Sequence, residues 1–368
     1  MRVNVGPGAR GARGDRVARA HPAPVIVNAR AACRPRITGV ERYTAELSRR
    51  LLASAPHRYR ALAPRPRARG RGLGQAWEQT ALPARARRLG AALILSPANL
   101  APLAWPGNVL VLHDAAAFRE ADAFSAAYRA WHRIAELGAA RRARALITVS
   151  EFSRRELGAL GPLDPDVIHV IPGGVDARFS PTPAPREAGI RSALGLTRPY
   201  VLSVATADAR KNLGALAPVA AALSARGCEL AWAGDARGHF TRIAATPGVR
   251  ALGYVADADL PALYRGAEAF VLPSRYEGFG LTCVEAMASG IPVVAADRGA
   301  LPETCGGAAL LADPDDPRAL TDAVLSAATG DPARRAALRA AGISRAAHFT
   351  WERTAERVDA LLRGLSPG

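Results

Sequence analysis

Short apolar runs rich in β-branched residues recur along this chain, and each gives way to a turn and then to a stretch of helical periodicity. Val25-Ile26-Val27 is the first; it ends in Asn28-Ala29-Arg30, a loop leads to Thr38-Gly39, and residues 40–52 repeat apolar side chains at helical spacing. Runs at 92–95, 109–112, 146–149 and 167–171 read as further strands, with a helix over 126–144. Buried strands alternating with helices imply a mostly parallel sheet covered on both faces. The Pro-rich stretch Ser180-Pro-Thr-Pro-Ala-Pro-Arg186 then breaks the pattern, as the missing N–H and fixed φ of proline require. Beyond it the alternation restarts, with strands expected at 200–204, 229–233, 269–272 and 292–295, and helices after Asn212, Asp257, Phe279 and Pro317. The expected fold is α/β: two tandem Rossmann-like, doubly wound domains, residues 24–185 and 186–348, facing across a cleft lined by loops at the carboxyl ends of the strands. A last helix over 351–362 has an N-cap in Thr350.

With 368 residues and 49% hydrophobic composition, each domain can bury its own core, which excludes a small disulfide scaffold and a disordered chain. Residues 1–23, Gly- and Arg-rich with no apolar period, read as a disordered extension without a secretory signal. No apolar stretch approaches the roughly 20 residues of a membrane span. Cys33, Cys228, Cys283 and Cys305 lie far apart and form no metal-ligand spacing, so reduced thiols in a cytoplasmic protein and no bound metal are expected.

Charge is distributed unevenly. Residues 1–190 hold 30 Arg against 14 acidic residues, whereas residues 191–368 are nearly balanced, within a total of +17. No acidic residue falls in 47–77, which contains Arg49, Arg50, Arg58, Arg60, Arg65, Arg67, Arg69 and Arg71. Either this half meets an anionic surface or acceptor, or GC-biased coding has enriched arginine throughout. Aromatics make up only 5% of the chain and form no interleaved platform, so no nucleic-acid partner is expected. Lys211 is the sole lysine among 49 basic residues, which marks a place where a compact ammonium is needed.

The densest chemistry lies in Glu277-Gly-Phe-Gly-Leu-Thr-Cys-Val-Glu285. An apolar strand ends at Leu272, Gly278 and Gly280 let the backbone approach a ligand, and a helix starting near residues 279–282 would offer free N–H groups to a phosphate. Glu285, about a turn into that helix, is placed to accept from a ribose diol, and Glu277 to face the group beyond the phosphate. An ordinary strand-to-helix turn explains the two glycines equally well. Arg210-Lys211 follows another expected strand and can neutralise a diphosphate; a solvated loop pair is the bland alternative. His113 ends the run at 109–112, with Asp114 beside it to set its tautomer or charge. Gly39 stands in the first loop, as a close-approach or plain turn glycine. A glycosidase pairing of Glu277 with Glu285 is set aside because an anion site at a helix N-terminus should lower the Glu285 pKa.

The segment from Glu277 to Glu285 resembles the E-x7-E motif of the retaining family 4 glycosyltransferases, which have the GT-B fold. Further resembling segments are Ile37-Thr-Gly-Val-Glu-Arg-Tyr43, Trp77-Glu-Gln79, Ser96-Pro-Ala-Asn99, His113-Asp114, Ile147-Thr-Val-Ser-Glu-Phe-Ser153, Ile171-Pro-Gly-Gly-Val-Asp176, Ala205-Thr-Ala-Asp-Ala-Arg-Lys-Asn-Leu213, Leu252-Gly-Tyr-Val255, Pro292-Val-Val-Ala295 and Phe349-Thr-Trp351. They run in family order over residues 25–362, and the branch resembles bacterial mannosyltransferases of surface-polysaccharide assembly.

The resemblance implies roles. Glu277 lies against the transferred sugar and Glu285 binds ribose; backbone N–H groups of Phe279, Gly280, Leu281 and Thr282 hold sugar and phosphate; Arg210 and Lys211 bind the diphosphate; His113 contacts the sugar; Tyr254 and Val255 flank the base. It also implies retention by front-face attack without a metal or protein nucleophile, a nucleotide-sugar co-substrate such as GDP-mannose, and a glycan, lipid-linked or small acceptor held by the first domain. Residues 349–368 would cross back to that domain, and the basic half would contact the inner face of an anionic membrane. One departure concerns donor grip: the family's Gly-Arg before the basic pair is replaced by Val204-Ala205-Thr206. A nucleotide-sugar 2-epimerase of the same fold and a non-catalytic basic membrane or nucleic-acid binding protein are the alternatives.

Overall fold

The computed structural model describes residues 23–34, 36–66, 71–120, 126–161, 163–183, 187–235 and 246–366. The N-terminal extension up to residue 22, the end of the Pro-rich stretch at 184–186, and Arg67 and Arg69 lie outside the described residues.

Two six-stranded sheets, parallel throughout, form the frame. The first contains β1 (Val25–Asn28), β2 (Tyr59–Leu62), β3 (Leu93–Ser96), β4 (Asn108–Val111), β5 (Ala145–Thr148) and β6 (Ile168–Val170), in the order β2-β1-β3-β4-β5-β6. The second contains β7 (Tyr200–Val204), β8 (Glu229–Ala233), β9 (Val249–Gly253), β10 (Ala269–Leu272), β11 (Val293–Ala296) and β12 (Leu310–Ala312), in the order β12-β11-β10-β7-β8-β9. Every expected strand is present, and β2, β9 and β12 are additional. All three are edge strands that expose at least one side chain, and β12 is only three residues long. An edge strand needs no continuous apolar run, so the pattern that marks inner strands passes over it.

The helix Gly39–Ser54 shows how local sequence places an element. Thr38 precedes it and its backbone N–H donates to Glu41 Oε2 at 3.1 Å, half of a capping box. Tyr43, Leu47 and Leu51, one helical turn apart, are buried against β1, β3 and β4 and against the last helix, Trp351–Leu365. Trp351, Val358 and Leu362 of that helix are fully buried in the core of the first sheet's layer. The chain therefore crosses between layers twice, and the crossings pair: Val175 N–H donates to Phe349 O at 2.9 Å. Gly174 permits this, since a Cβ there would lie 2.2 Å from the Trp351 nitrogen.

Loops of the second layer dock on the first beside the cleft. The Ala115 N–H donates to Tyr276 Oη at 3.2 Å, and Ser150 Oγ and Ser153 Oγ donate to Gly278 O at 2.6 and 3.1 Å.

Candidate active site

A cavity of about 650 Å³ lies between the sheets at the carboxyl ends of their strands. Its walls bring together His113 after β4, Arg210 and Lys211 after β7, Tyr254 and Val255 after β9, and Glu277 through Thr282 after β10, with Glu285 and Gly39 also lining it. Gly39 and Glu285, 246 positions apart, thus line the same cavity.

Lys211 ends the one-turn 3-10 helix Ala209–Lys211, which Asn212 closes in left-handed conformation at φ 51°. Its Nζ lies 2.5 Å from Glu277 Oε1, with both residues more than nine-tenths buried. Arg210 stands beside the pair, its Nε 3.2 Å from Asp208 Oδ1. Burial alone would raise the Glu277 pKa, but the adjoining charges of Lys211 and Arg210 outweigh it and hold the carboxyl below its usual range. Glu277 is therefore a carboxylate, and the ammonium keeps two further N–H donors for a ligand. Gly299, at φ +63°, backs the loop: a Cβ there would be 2.9 Å from both Glu277 N and O.

The helix Leu281–Ala288 begins at the cavity, with Gly280 as its N-cap at φ +86°. A side chain at Gly280 would also meet Leu301 Cδ2 at 2.5 Å. Leu281 and Thr282, in the first turn of that helix, line the cavity, and the free N–H groups and dipole of a helix N-terminus favour an anion.

Glu285 requires a correction. Its Oε2 accepts from Tyr264 Oη at 2.9 Å and its Oε1 lies 3.4 Å from Arg42 Nε. Burial raises its pKa, and Arg42 and Tyr264 only partly oppose this. The fall expected from the helix terminus does not occur, because Glu285 sits a full turn inside, where desolvation outweighs the dipole. Glu277, paired with Lys211, is held ionised and so cannot be the acid of a glycosidase pairing.

His113 is corrected too. Its Nε2 lies 2.9 Å from the Pro97 carbonyl, and its backbone N–H donates to Asn99 Oδ1 at 3.0 Å. Since a carbonyl only accepts, that bond puts the proton on Nε2, and burial lowers the imidazole pKa. Asp114 does not set the tautomer, since its Oδ1 accepts from the Ala116 N–H at 2.9 Å, but its charge opposes the downward shift of the imidazole pKa. Gly39 is not in a loop but is the first residue of its helix, and a Cβ there would meet nothing within 4 Å. Tyr254 stands at the rim, 40% exposed, with the Arg36 guanidinium 5.6 Å from its ring centroid; Val255 is buried behind it. Ala205 and Thr206 line the cavity, and Thr206 Oγ1 donates to Asp208 Oδ2 at 2.7 Å.

The cavity also exposes residues to which sequence reasoning gave no role. Asn99, at φ 62° a non-glycine in left-handed conformation, caps the His113 N–H; nothing in its neighbours signals that strain. Arg42 and Glu41 stood in a resembling segment, and Thr38-x-x-Glu41 was readable as a capping box.

Comparison with known proteins agrees with this architecture. Residues 37–179 match the family model described as Glycosyltransferase Family 4, and residues 198–329 match Glycosyl transferases group 1. The O-antigen chain mannosyltransferase B of Escherichia coli is 34% identical over 225 residues, which are 57% of this chain and 58% of that protein. The MMP alpha-(1->4)-mannosyltransferase of Mycolicibacterium hassiacum is 31% identical over 72% of this chain and 66% of that protein. This chain thus spans about three-fifths of the length of these curated relatives. Among solved structures, sucrose-phosphate synthase from Thermosynechococcus elongatus superposes with TM-score 0.70 at 22% identity, covering 93% of this chain and 98% of that one. Anabaena Alr3699/HepE in complex with UDP and glucose does so with TM-score 0.70 at 20% identity, covering 93% and 100%. The two facing layers are the GT-B fold, and the chain belongs to the family 4 glycosyltransferases.

Proposed function

We propose that this protein is a retaining glycosyltransferase that moves mannose from a nucleoside-diphosphate sugar to a glycan or lipid-linked acceptor in the cytoplasm. The observation that carries this reading is the buried Lys211–Glu277 pair, flanked by Arg210, opposite the N-terminus of Leu281–Ala288 and across the cleft from His113. Such a constellation offers cations and N–H groups to a diphosphate, and a carboxylate to sugar hydroxyls. In the reaction the acceptor oxygen attacks C1 on the face the diphosphate leaves, the C1–O bond to phosphate breaks, and the acceptor proton passes to the departing phosphate oxygen. Arg210, Lys211 and the helix N–H groups stabilise the charge that builds on the nucleoside diphosphate. Glu277 orients the sugar, Glu285 takes the ribose diol, and Phe279, Gly280, Tyr254 and Val255 enclose sugar and base. The mannosyltransferase names of the relatives support mannose, and GDP is the nucleotide to try first.

A thermal-shift panel of GDP, UDP, ADP and dTDP with their sugar conjugates tests the donor side. The expected result is selective stabilisation by one base, about 2.7 kcal/mol at a hundredfold excess over Kd; no shift with any of them would overturn the reading. An epimerase would convert the donor without acceptor, which the same preparation reports.

The acceptor side is proposed to work against an anionic membrane. Between residues 47 and 113 the chain has 11 Arg and a single acid, Glu78, which is buried beside Arg30. Arg49 and Arg50 are held by Glu46, and Arg50 also by Glu352. Arg60, Arg85 and Arg88 are exposed, and among the described residues they have no carboxylate partner. They rim a groove of about 590 Å³ whose apolar walls include Leu52, Pro56 and Leu89. Apolar surface ringed by unpaired guanidinium groups suits a headgroup layer. Among the described residues no helix is long and apolar enough to cross a membrane. Substituting Glu at Arg60, Arg85 and Arg88 together should weaken sedimentation with phosphatidylglycerol vesicles on the order of a hundredfold, from about 1 kcal/mol per Arg. Nucleotide-induced thermal shifts should be unchanged, and wild-type vesicle binding by the variant would exclude the groove.

A further inference from the structure

Arg42 belongs to the first layer, on the helix Gly39–Ser54, yet its guanidinium is buried among acids of the second. Nη2 pairs with Asp257 Oδ1, and Nε lies 3.4 Å from Glu285 Oε1. The other Asp257 oxygen takes Arg178, from the crossing segment, and the Arg42 and Arg178 guanidiniums lie 5.6 and 5.1 Å from the ring centroid of Phe179. Glu285 also receives the neutral Tyr264 hydroxyl, the like charge of Asp257 and the favourable charge of Arg178, and Cys283 acts electrostatically on Tyr264. Among the described residues, Arg42 is the cation in ion-pair contact with Glu285.

Desolvation favours the neutral form of a carboxyl, and a neutral Glu285 would accept more weakly from two ribose hydroxyls. Without Arg42, this carboxyl keeps one hydroxyl donor, the neighbouring negative charge of Asp257 and only the weaker influence of Arg178, which itself pairs with Asp257. We propose that Arg42 is a positioning residue for donor binding: from the opposite layer it supplies the charge that keeps Glu285 an aligned carboxylate, so the ribose subsite is complete only when the two layers are closed. This rests on the reading of Glu285 as the ribose ligand. Closure and nucleotide binding are then reciprocally coupled, because whatever strengthens one must strengthen the other.

Calorimetric titration with GDP and with UDP between about pH 6 and pH 9 tests this, a range set by the upward direction of the Glu285 pKa. Glu285→Gln should weaken nucleotide binding at least about tenfold with little pH dependence, by loss of a charge-assisted acceptor. Arg42→Met should weaken it about tenfold near pH 6 and progressively less toward pH 9, because the unpaired carboxyl ionises as pH rises. Arg42→Lys should recover part of the affinity and flatten the profile, and in turnover assays the donor KM should move more than kcat. If Glu285→Gln weakens binding while Arg42→Met binds like wild type at every pH, the proposal fails and the ribose reading stands. If Glu285→Gln binds like wild type, the ribose reading itself fails. A loss in Arg42→Met that is equal at all pH values would overturn the charge role. Should Arg42→Met not fold, the double variant Arg42→Met with Asp257→Asn removes the stranded acid and is titrated instead, with the same outcomes.

Discussion

Lys211→Ala should lower kcat by about 10³-fold, the upper end of the loss from removing one preorganised donor at a site of developing charge. The ammonium pairs with Glu277 Oε1 at 2.5 Å, and in the proposed reaction it also meets the diphosphate. Its removal leaves Glu277 buried with Arg210 as the remaining nearby cation. Burial, the largest influence on that carboxyl, then pushes its pKa upward with less to oppose it. In the wild type the depressed pKa gives Glu277 a stabilising contribution that is present above the unfolded value of about 4.3 and lost only as pH falls through the lower folded value. The variant should lose that contribution at higher pH. Glu277→Gln tests the pair from the other side. Because the two groups act as one unit, the double variant should be little worse than the poorer single one, which steady-state kinetics on all four proteins would show. Wild-type turnover in Lys211→Ala, or fully additive losses, would remove the pair from the mechanism.

Gly278→Ala should cost on the order of 10²-fold in kcat while leaving each layer folded, the size of effect expected from about 1 Å of misplacement at a reacting centre. A Cβ at this position would stand 2.6 Å from Asp114 Cβ and 2.7 Å from His113 O. Neither atom is the flexible end of a side chain, so the loop and the first layer must move apart. That displacement strains the bonds that Gly278 O accepts from Ser150 and Ser153, and it separates Glu277 from His113. Near-native circular dichroism together with a raised donor KM and a lowered kcat is the expected result; unchanged kinetics would show that the contact at Gly278 has no part in turnover.

Three kinds of information were unequally legible in the sequence. Inner strands were, because β1, β3, β4, β5, β10 and β11 are buried at every position and read as continuous apolar runs. The edge strands were not, since Arg60 in β2 and Arg250 in β9 point to solvent and break the run. Site membership was readable through strand-end position: His113, Lys211 and Glu277 each follow a strand, and parallel sheets gather those ends on one side. Ionisation was misread at Glu285 and tautomer choice at His113, because both depend on groups that local spacing does not report.

Local patterning was enough for the α/β alternation, because a strand or helix must bury its apolar side chains. Which charges meet was set by packing in three dimensions. Arg42 and Asp257 are 215 positions apart, and Lys211 and Glu277 are 66 apart. Coulombic pairing and desolvation depend on distance in space and on what excludes water. Packing of one layer against the other sets both.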